Sequence, residues 1–120
     1  MYSIDIPGCA LFSGMGETLP YMFWRLDSRY ALTQTDRKLK IPPSSHLKSN
    51  FSVTTSGQFS DVPLACAISA LGEDNVMFSI DYPYEDSNIA ARFIEVAPVS
   101  EAARAKLCSG NAARLLRLSL

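Results

Sequence analysis

Three short apolar runs, each followed by a turn and then by helical periodicity, constrain the fold most. Cys9-Ala10-Leu11-Phe12 leads into the glycine-rich Ser13-Gly14-Met15-Gly16-Glu17. Apolar residues then recur at Leu19, Met22, Phe23, Leu26 and Tyr30, one face of a helix. Pro20 fits only a first turn, so this helix should begin near Leu19. Phe51–Thr55 alternates and is rich in β-formers, and Ser56-Gly57 ends it. Asp61 can cap the next helix, with Pro63 in its first turn. Leu64, Ala67, Ile68 and Leu71 form its buried stripe, and Gly72 stops it. Val76–Ile80 is the third run and reads as a strand buried on both faces. Beyond it, Asp86 or Ser87 can cap a helix whose apolar face is Ile89, Ala90, Phe93 and Ile94, ended by Pro98. Ser100 opens another, carrying Ala103 and Leu107 and closed by Gly110. Asn111 caps a last one, bearing Leu115, Leu116 and Leu118.

This alternation predicts an α/β fold, because parallel strands in one layer cannot be joined by hairpins and need helical crossovers. The strands should be Cys9–Phe12, Phe51–Thr55 and Val76–Ile80, with Glu17, Ser56 and Asp81 at one edge. Asp81 follows the third strand directly, where α/β folds place their ligands and metals. Tyr82-Pro83 holds that exit extended or turning. The plainer reading of Asp81 is a solvated acid ending a strand. Thr33 to Ser49 is a polar excursion containing Pro42-Pro43, with room for a short helix near His46-Leu47.

The net charge of −1 gives no electrostatic reason to expect nucleic acid or an anionic membrane as partner. No apolar run reaches the roughly 20 residues of a membrane span. Met1 to Ile6 lacks a basic region and carries Asp5, unlike a secretory signal. Cys9, Cys66 and Cys108 are odd in number and lack metal-ligand spacing. They read as buried, reduced thiols of a cytoplasmic protein. Phe23, Trp24 and Tyr30 read as packing residues, and Lys38, Lys40 and Lys48 as a solvated loop face. Gly14-Met15-Gly16 lacks the third glycine and the lysine of a phosphate-binding loop.

Four segments carry a resemblance. They are Gly14-Met15-Gly16-Glu17-Thr18-Leu19-Pro20-Tyr21 with Trp24-Arg25-Leu26-Asp27, then Thr54-Thr55-Ser56-Gly57, then Phe78-Ser79-Ile80-Asp81-Tyr82-Pro83-Tyr84-Glu85, and Gly110-Asn111-Ala112. In this order they resemble the carboxy-terminal part of the metal-dependent aromatic-acid decarboxylases of the amidohydrolase superfamily. That group includes the γ-resorcylate, 2,3-dihydroxybenzoate and aminocarboxymuconate-semialdehyde decarboxylases. The resemblance implies the last three strand-helix units of a (β/α)8 TIM barrel plus carboxy-terminal helices. Residues 1–120 would form one incomplete portion of such a domain. It implies a divalent metal, zinc or manganese, with Asp81 matching the aspartate that follows the last strand. Glu17 and Arg25 match the residues that orient a proton-handling histidine, and Tyr84 matches the wall of the substrate pocket. The substrate class is a small hydroxylated aromatic carboxylic acid. The family reads Gly-His-Met-Gly-Glu where this chain has Ser13-Gly14-Met15-Gly16-Glu17, so Gly14 stands in the histidine's place. The single histidine, His46, matches no ligand position.

Removing carbon dioxide from an arene needs a proton for the ring carbon and a place for developing charge. Asp81 alone cannot cage a metal, since zinc takes three or four protein ligands. The preferred expectation is therefore a truncated family member, inactive by itself. One alternative is a non-enzymatic α/β interaction module that self-associates through its open strand edges. Another is one half of a split enzyme, completed by a complementing barrel half. Glu17 and Arg25 also admit a plain salt bridge between loop and helix, contributing ~0–1 kcal/mol if exposed.

Overall fold

A computed structural model describes residues 2–4, 10–14, 16–33 and 36–119. In chain order the elements are β1 (Tyr2–Ile4), β2 (Ala10–Phe12), α1 (Phe23–Leu32), β3 (Arg37–Leu39), α2 (Pro43–Asn50), β4 (Phe51–Thr54), α3 (Asp61–Leu71), β5 (Val76–Met77), α4 (Ser87–Val96), α5 (Glu101–Ala105) and α6 (Asn111–Leu116). β2, β4 and β5 form one sheet in that order, both pairings parallel. Phe12 lies opposite Val53, and Val53 opposite Val76. A second, smaller sheet pairs β1 with β3 in parallel. The expected mixed α/β architecture with helical crossovers is thus present. The Cys9 end of the first expected strand lies outside the described residues. Among the described residues, no helix is long and apolar enough to cross a membrane.

The core lies where α3, α4 and the carboxy-terminal helices meet the sheet. Val53 and Val76 are completely buried at its centre. Around them pack Leu64, Ala67 and Leu71 of α3, Phe93 and Ile94 of α4, and Leu107. The α3 stripe is the one its spacing predicts, with Gly72 ending the helix at φ +83°. Asp86 caps α4 by accepting from the Asn88 and Ile89 amides, and Ser100 caps α5 through the Ala103 amide. Arg104 then ties the two together, its guanidinium donating to the carbonyls of Ile94, Ala97 and Val99. The Ile94 carbonyl is one of the last four of α4, and its partner four residues on would be Pro98, which has no N–H to give.

Several expectations are corrected. The third strand is shorter than Val76–Ile80, because only Val76–Met77 pairs with β4. Beyond Met77 a side chain replaces the backbone ladder, as described below. The helix after β2 does begin next to Leu19 with Pro20 in its first turn, but that turn, Pro20–Met22, is 3-10, and α1 proper runs from Phe23. Of its expected buried face only Phe23 is in the core, while Met22 and Leu26 are exposed and Trp24 is 76% exposed. The cause is that α1 leans on α2 instead of lying on the sheet. Asp27 accepts from the Ser44 amide at 2.9 Å and the Ser44 hydroxyl at 2.6 Å. It thereby supplies the cap that Pro42 cannot give α2, and it places negative charge at that helix's amino end.

The polar excursion contains the expected helix as α2, and also β3, whose Arg-Lys-Leu sequence gives no β signal. Ile89, Leu116 and Leu118 are exposed, not part of apolar faces. Cys66 and Cys108 are exposed thiols, not buried ones, because each falls on the outer side of its helix. Gly110 does not close a helix. Its φ of −58° and ψ of −43° are helical, and a π turn over Lys106–Gly110 joins α5 to α6. Nor is Asn111 a cap. It is 3% exposed, and its side-chain amide donates to the carbonyls of Glu73 at 2.6 Å and Val76 at 2.8 Å.

Candidate functional site

All three strands of the main sheet run the same way, so the segments leaving β2, β4 and β5 share one edge. The segment after β2 turns at Gly14 (φ +74°) and enters a 3-10 turn at Gly16–Thr18. Gly16 is pressed against β4. A Cβ there would lie 2.7 Å from the Val53 Cβ and 2.9 Å from the Thr54 carbonyl, so only glycine fits without backbone movement. The turn carrying Glu17 is therefore pinned across the end of β4. The Glu17 side chain, and with it the expected pairing to Arg25, lies outside the described residues. Arg25 is exposed on α1.

The segment after β4 is almost wholly buried although polar: Thr55 is 0% and Ser56 2% exposed. The Thr54 hydroxyl donates to the Ser56 hydroxyl at 3.0 Å. The Thr55 amide still donates to the Met77 carbonyl at 3.0 Å, the last rung of the ladder. The Thr55 carbonyl then turns away to accept from Gln58 at 2.9 Å, and Gly57 takes φ +76°.

Asp81 ends the segment after β5. Its φ of +77° is unusual for a residue with a side chain, though aspartate is among the types that tolerate it. Its carbonyl accepts from the amides of Tyr84 at 2.9 Å and Glu85 at 3.2 Å, which closes the turn. The carboxylate reaches over the neighbouring turn, since a Cβ added at Gly57 would sit 3.5 Å from Asp81 Oδ2. Asp81 and the Ser56-Gly57 turn are thus brought together as expected. Asp81 is exposed, and Tyr84 stands 86% exposed beside it.

His46 is elsewhere. It is 7% exposed in α2, one turn before β4 begins and so at the opposite end of that strand from Asp81. Its Nε2 has no hydrogen-bond partner among the described residues. Among those residues no group of three or more His, Cys, Asp or Glu could hold a metal ion. A cavity of about 530 Å³ lies just outside the edge, lined by Thr18, Tyr21, Met22, Val62, Pro63 and Cys66 among others. Its wall is apolar, with no charged group to orient a ligand.

Apolar periodicity does not reveal the roles of the Thr55 hydroxyl and the Asn111 side chain in this construction. The signal for Thr55 is the Thr-Thr-Ser-Gly run itself. Hydroxyl side chains at a strand end compete with the ladder for backbone partners.

A parallel sheet with helical crossovers, and its polar residues gathered at the carboxyl edge, is the arrangement of the α/β enzymes. The sequence pattern of the family described as Amidohydrolase matches residues 18–118, and the chain belongs to that family. It is 41% identical over 107 residues to a gamma-resorcylate decarboxylase from Polaromonas sp., covering 88% of this chain and 33% of that protein. Among solved structures it resembles 5-carboxyvanillate decarboxylase from Sphingomonas paucimobilis, with TM-score 0.87 and 40% identity over 92% of this chain and 34% of the other. It also resembles a dihydroxybenzoic acid decarboxylase from Polaromonas sp. bound to manganese and the inhibitor 2-nitroresorcinol. There the TM-score is 0.80 at 38% identity, over 91% of this chain and 33% of the other. The chain spans about a third of the length of these relatives.

Proposed function

We propose that residues 1–120 form the last three strand-helix units of an incomplete (β/α)8 barrel, serving metal-dependent, non-oxidative decarboxylation of a hydroxylated aromatic acid. The observation that carries this reading is Asp81. It leaves the last strand of a parallel sheet at the carboxyl edge, with its carboxylate over the Gly57 turn, in a chain closely similar to aromatic-acid decarboxylases. The bond between ring carbon and carboxyl carbon breaks, carbon dioxide leaves, and the electron pair on the ring carbon takes up a proton. A bound divalent ion, manganese or zinc, would polarise and orient the acid and its neighbouring hydroxyl.

Asp81 would supply one oxygen ligand, a donor type that suits manganese. Among the described residues no group of three or more His, Cys, Asp or Glu stands at Asp81, which supports the reading that residues outside these 120 complete the cage. Glu17 and Arg25 would be the residues that orient a proton-handling histidine, left here with none to orient, and Tyr84 would cover the substrate once a facing wall is present. Gly14 leaves the first loop without an imidazole. The 120 residues by themselves are therefore inactive, working in a cytoplasmic setting only with a complementing barrel half.

The test has two arms. Manganese added to the isotopically labelled chain in the presence of the complementing barrel half should broaden the signals of residue 81 and the Gly57 turn selectively, and Asp81→Asn should abolish that. Loss of 2,6-dihydroxybenzoate absorbance should need the complementing barrel half as well as Asp81. Metal-dependent turnover by the 120 residues alone, lost on Asp81→Asn, would overturn the incomplete-site reading. Broadening that ignores Asp81 would overturn the metal assignment.

A further inference from the structure

Residue 79 lies two positions before Asp81, and both polar atoms of its backbone go to one side chain. The Ser79 amide donates to Thr55 Oγ1 at 3.1 Å, and Thr55 Oγ1 donates to the Ser79 carbonyl at 3.1 Å. A hydroxyl has one proton to give and lone pairs to receive, so it can do both at once. The Thr55 carbonyl is unavailable for this, being turned toward Gln58. β4 therefore leaves the sheet at Thr55 while the neighbouring chain runs on. The hydroxyl fills the place where two further ladder bonds would have been.

The other side of the same segment is held by the π turn. The Asn111 amide donates to the Lys106 carbonyl, five residues back. An α-helical turn would have directed it to Leu107. The Leu107 carbonyl is released and accepts instead from the Phe78 amide at 2.8 Å. Phe78 and Ser79 are thus gripped from opposite sides, with only Ile80 between them and Asp81, a residue in a conformation that L side chains resist.

We propose that Thr55 is the positioning residue for Asp81. Its hydroxyl, not its bulk, sets where the carboxylate stands over Gly57. The inference rests on the reading of Asp81 as the functional carboxylate, but the geometry it asserts does not. Thr55 is 0% exposed and touches no solvent, so it acts only through the backbone it holds.

Three variants of the 120-residue chain test this: Thr55→Val, which keeps the shape and drops the hydroxyl, and the pair Thr55→Ser and Thr55→Ala, which differ from each other only in the hydroxyl. The readouts are amide hydrogen exchange at Ser79 and the chemical shifts of Asp81 Cγ and the Gly57 amide. Exchange at Val53 and Leu64, with the melting temperature, serves as the control. In Thr55→Val and Thr55→Ala, exchange at Ser79 should rise about tenfold relative to Val53 and Leu64. The Asp81 and Gly57 shifts should move with it, and Thr55→Ser should resemble the parent. Should Thr55→Val not fold, the serine and alanine pair still decides. The proposal is overturned if the Asp81 and Gly57 signals stay in place without the hydroxyl, whatever the melting temperature does. It is equally overturned if serine and alanine shift them alike. No readout needs metal or turnover, so failure of the decarboxylase reading would show separately.

Discussion

Replacing Asn111 separates two accounts of the chain's last helix. As a helix cap, Asn111 could become aspartate at no cost, because the two rank equally at that position. As a buried strap, it cannot. Its Nδ2 is the donor to Glu73 O at 2.6 Å and Val76 O at 2.8 Å, and the residue is 3% exposed. Asn111→Ala removes two hydrogen bonds and leaves those carbonyls short of a donor. At ~0.5–1.5 kcal/mol each, the loss is about 1–3 kcal/mol. For a chain of this size that corresponds to a fall in Tm of roughly 4–15 °C. Asn111→Asp goes further, since it directs an anionic oxygen at two carbonyl oxygens in a dry site. Its cost should exceed that of alanine and reach about 3 kcal/mol or more. Urea titration with linear extrapolation, followed by circular dichroism, measures both. An Asn111→Asp chain as stable as the parent would refute the strap and restore the cap.

Gly16→Ala should cost about 1–3 kcal/mol by overpacking, because the new Cβ meets Val53 and the Thr54 backbone within 3.0 Å. Gly14→Ala meets nothing within 4 Å and carries only its positive-φ penalty, roughly 1–2 kcal/mol; a Gly16→Ala chain indistinguishable from the parent in urea would contradict the pinned loop. Lys106 bonds Glu73 at 2.7 Å and Asp74 at 2.9 Å. These bonds lift its pKa above the ordinary 10.5, and the bond to Lys106 holds Asp74 below 3.8. The Asp74 contribution is present above pH 3.8 and lost as pH falls through its lower folded value, while that of Lys106 is present below pH 10.5 and lost as pH rises through its higher folded value. The stability difference between parent and Lys106→Met should therefore stay flat across neutral pH and shrink at both extremes; a difference that changes near neutrality would count against this pair. Tyr21, Trp24 and Val62 are 85%, 76% and 78% exposed, so the 120-residue chain should self-associate at micromolar concentration, and light scattering that reports a monomer with a cooperative melt would oppose this.

What was legible in the sequence, and what was not, divides along the distance over which partners act. The parallel sheet and its order follow from local evidence. Val53 and Val76 lie in apolar runs, helical stretches separate the runs, and a parallel pair admits no shorter connection. The α3 stripe and the caps at Asp86 and Ser100 are equally local, each decided within one turn. The departures at Gly110, Asn111 and Thr55 come from partners far along the chain. Gly110 followed by asparagine has the local chemistry of a helix stop and a new cap. Yet the Asn111 side-chain amide finds the Val76 carbonyl, 35 residues away, and the π turn carries the helix on past Gly110. Thr55 has the local look of a strand residue, but its hydroxyl serves Ser79, 24 residues away. Both substitutions of side chain or freed carbonyl for backbone fall on β5 or its exit. That strand has one neighbour in the sheet, and its other side meets Asn111 and Leu107. A two-residue strand could not hold an aspartate at positive φ by ladder bonds alone. The groups that escaped periodicity are the ones that make up the difference, and so the site's geometry is written less in Asp81 than in the residues around it.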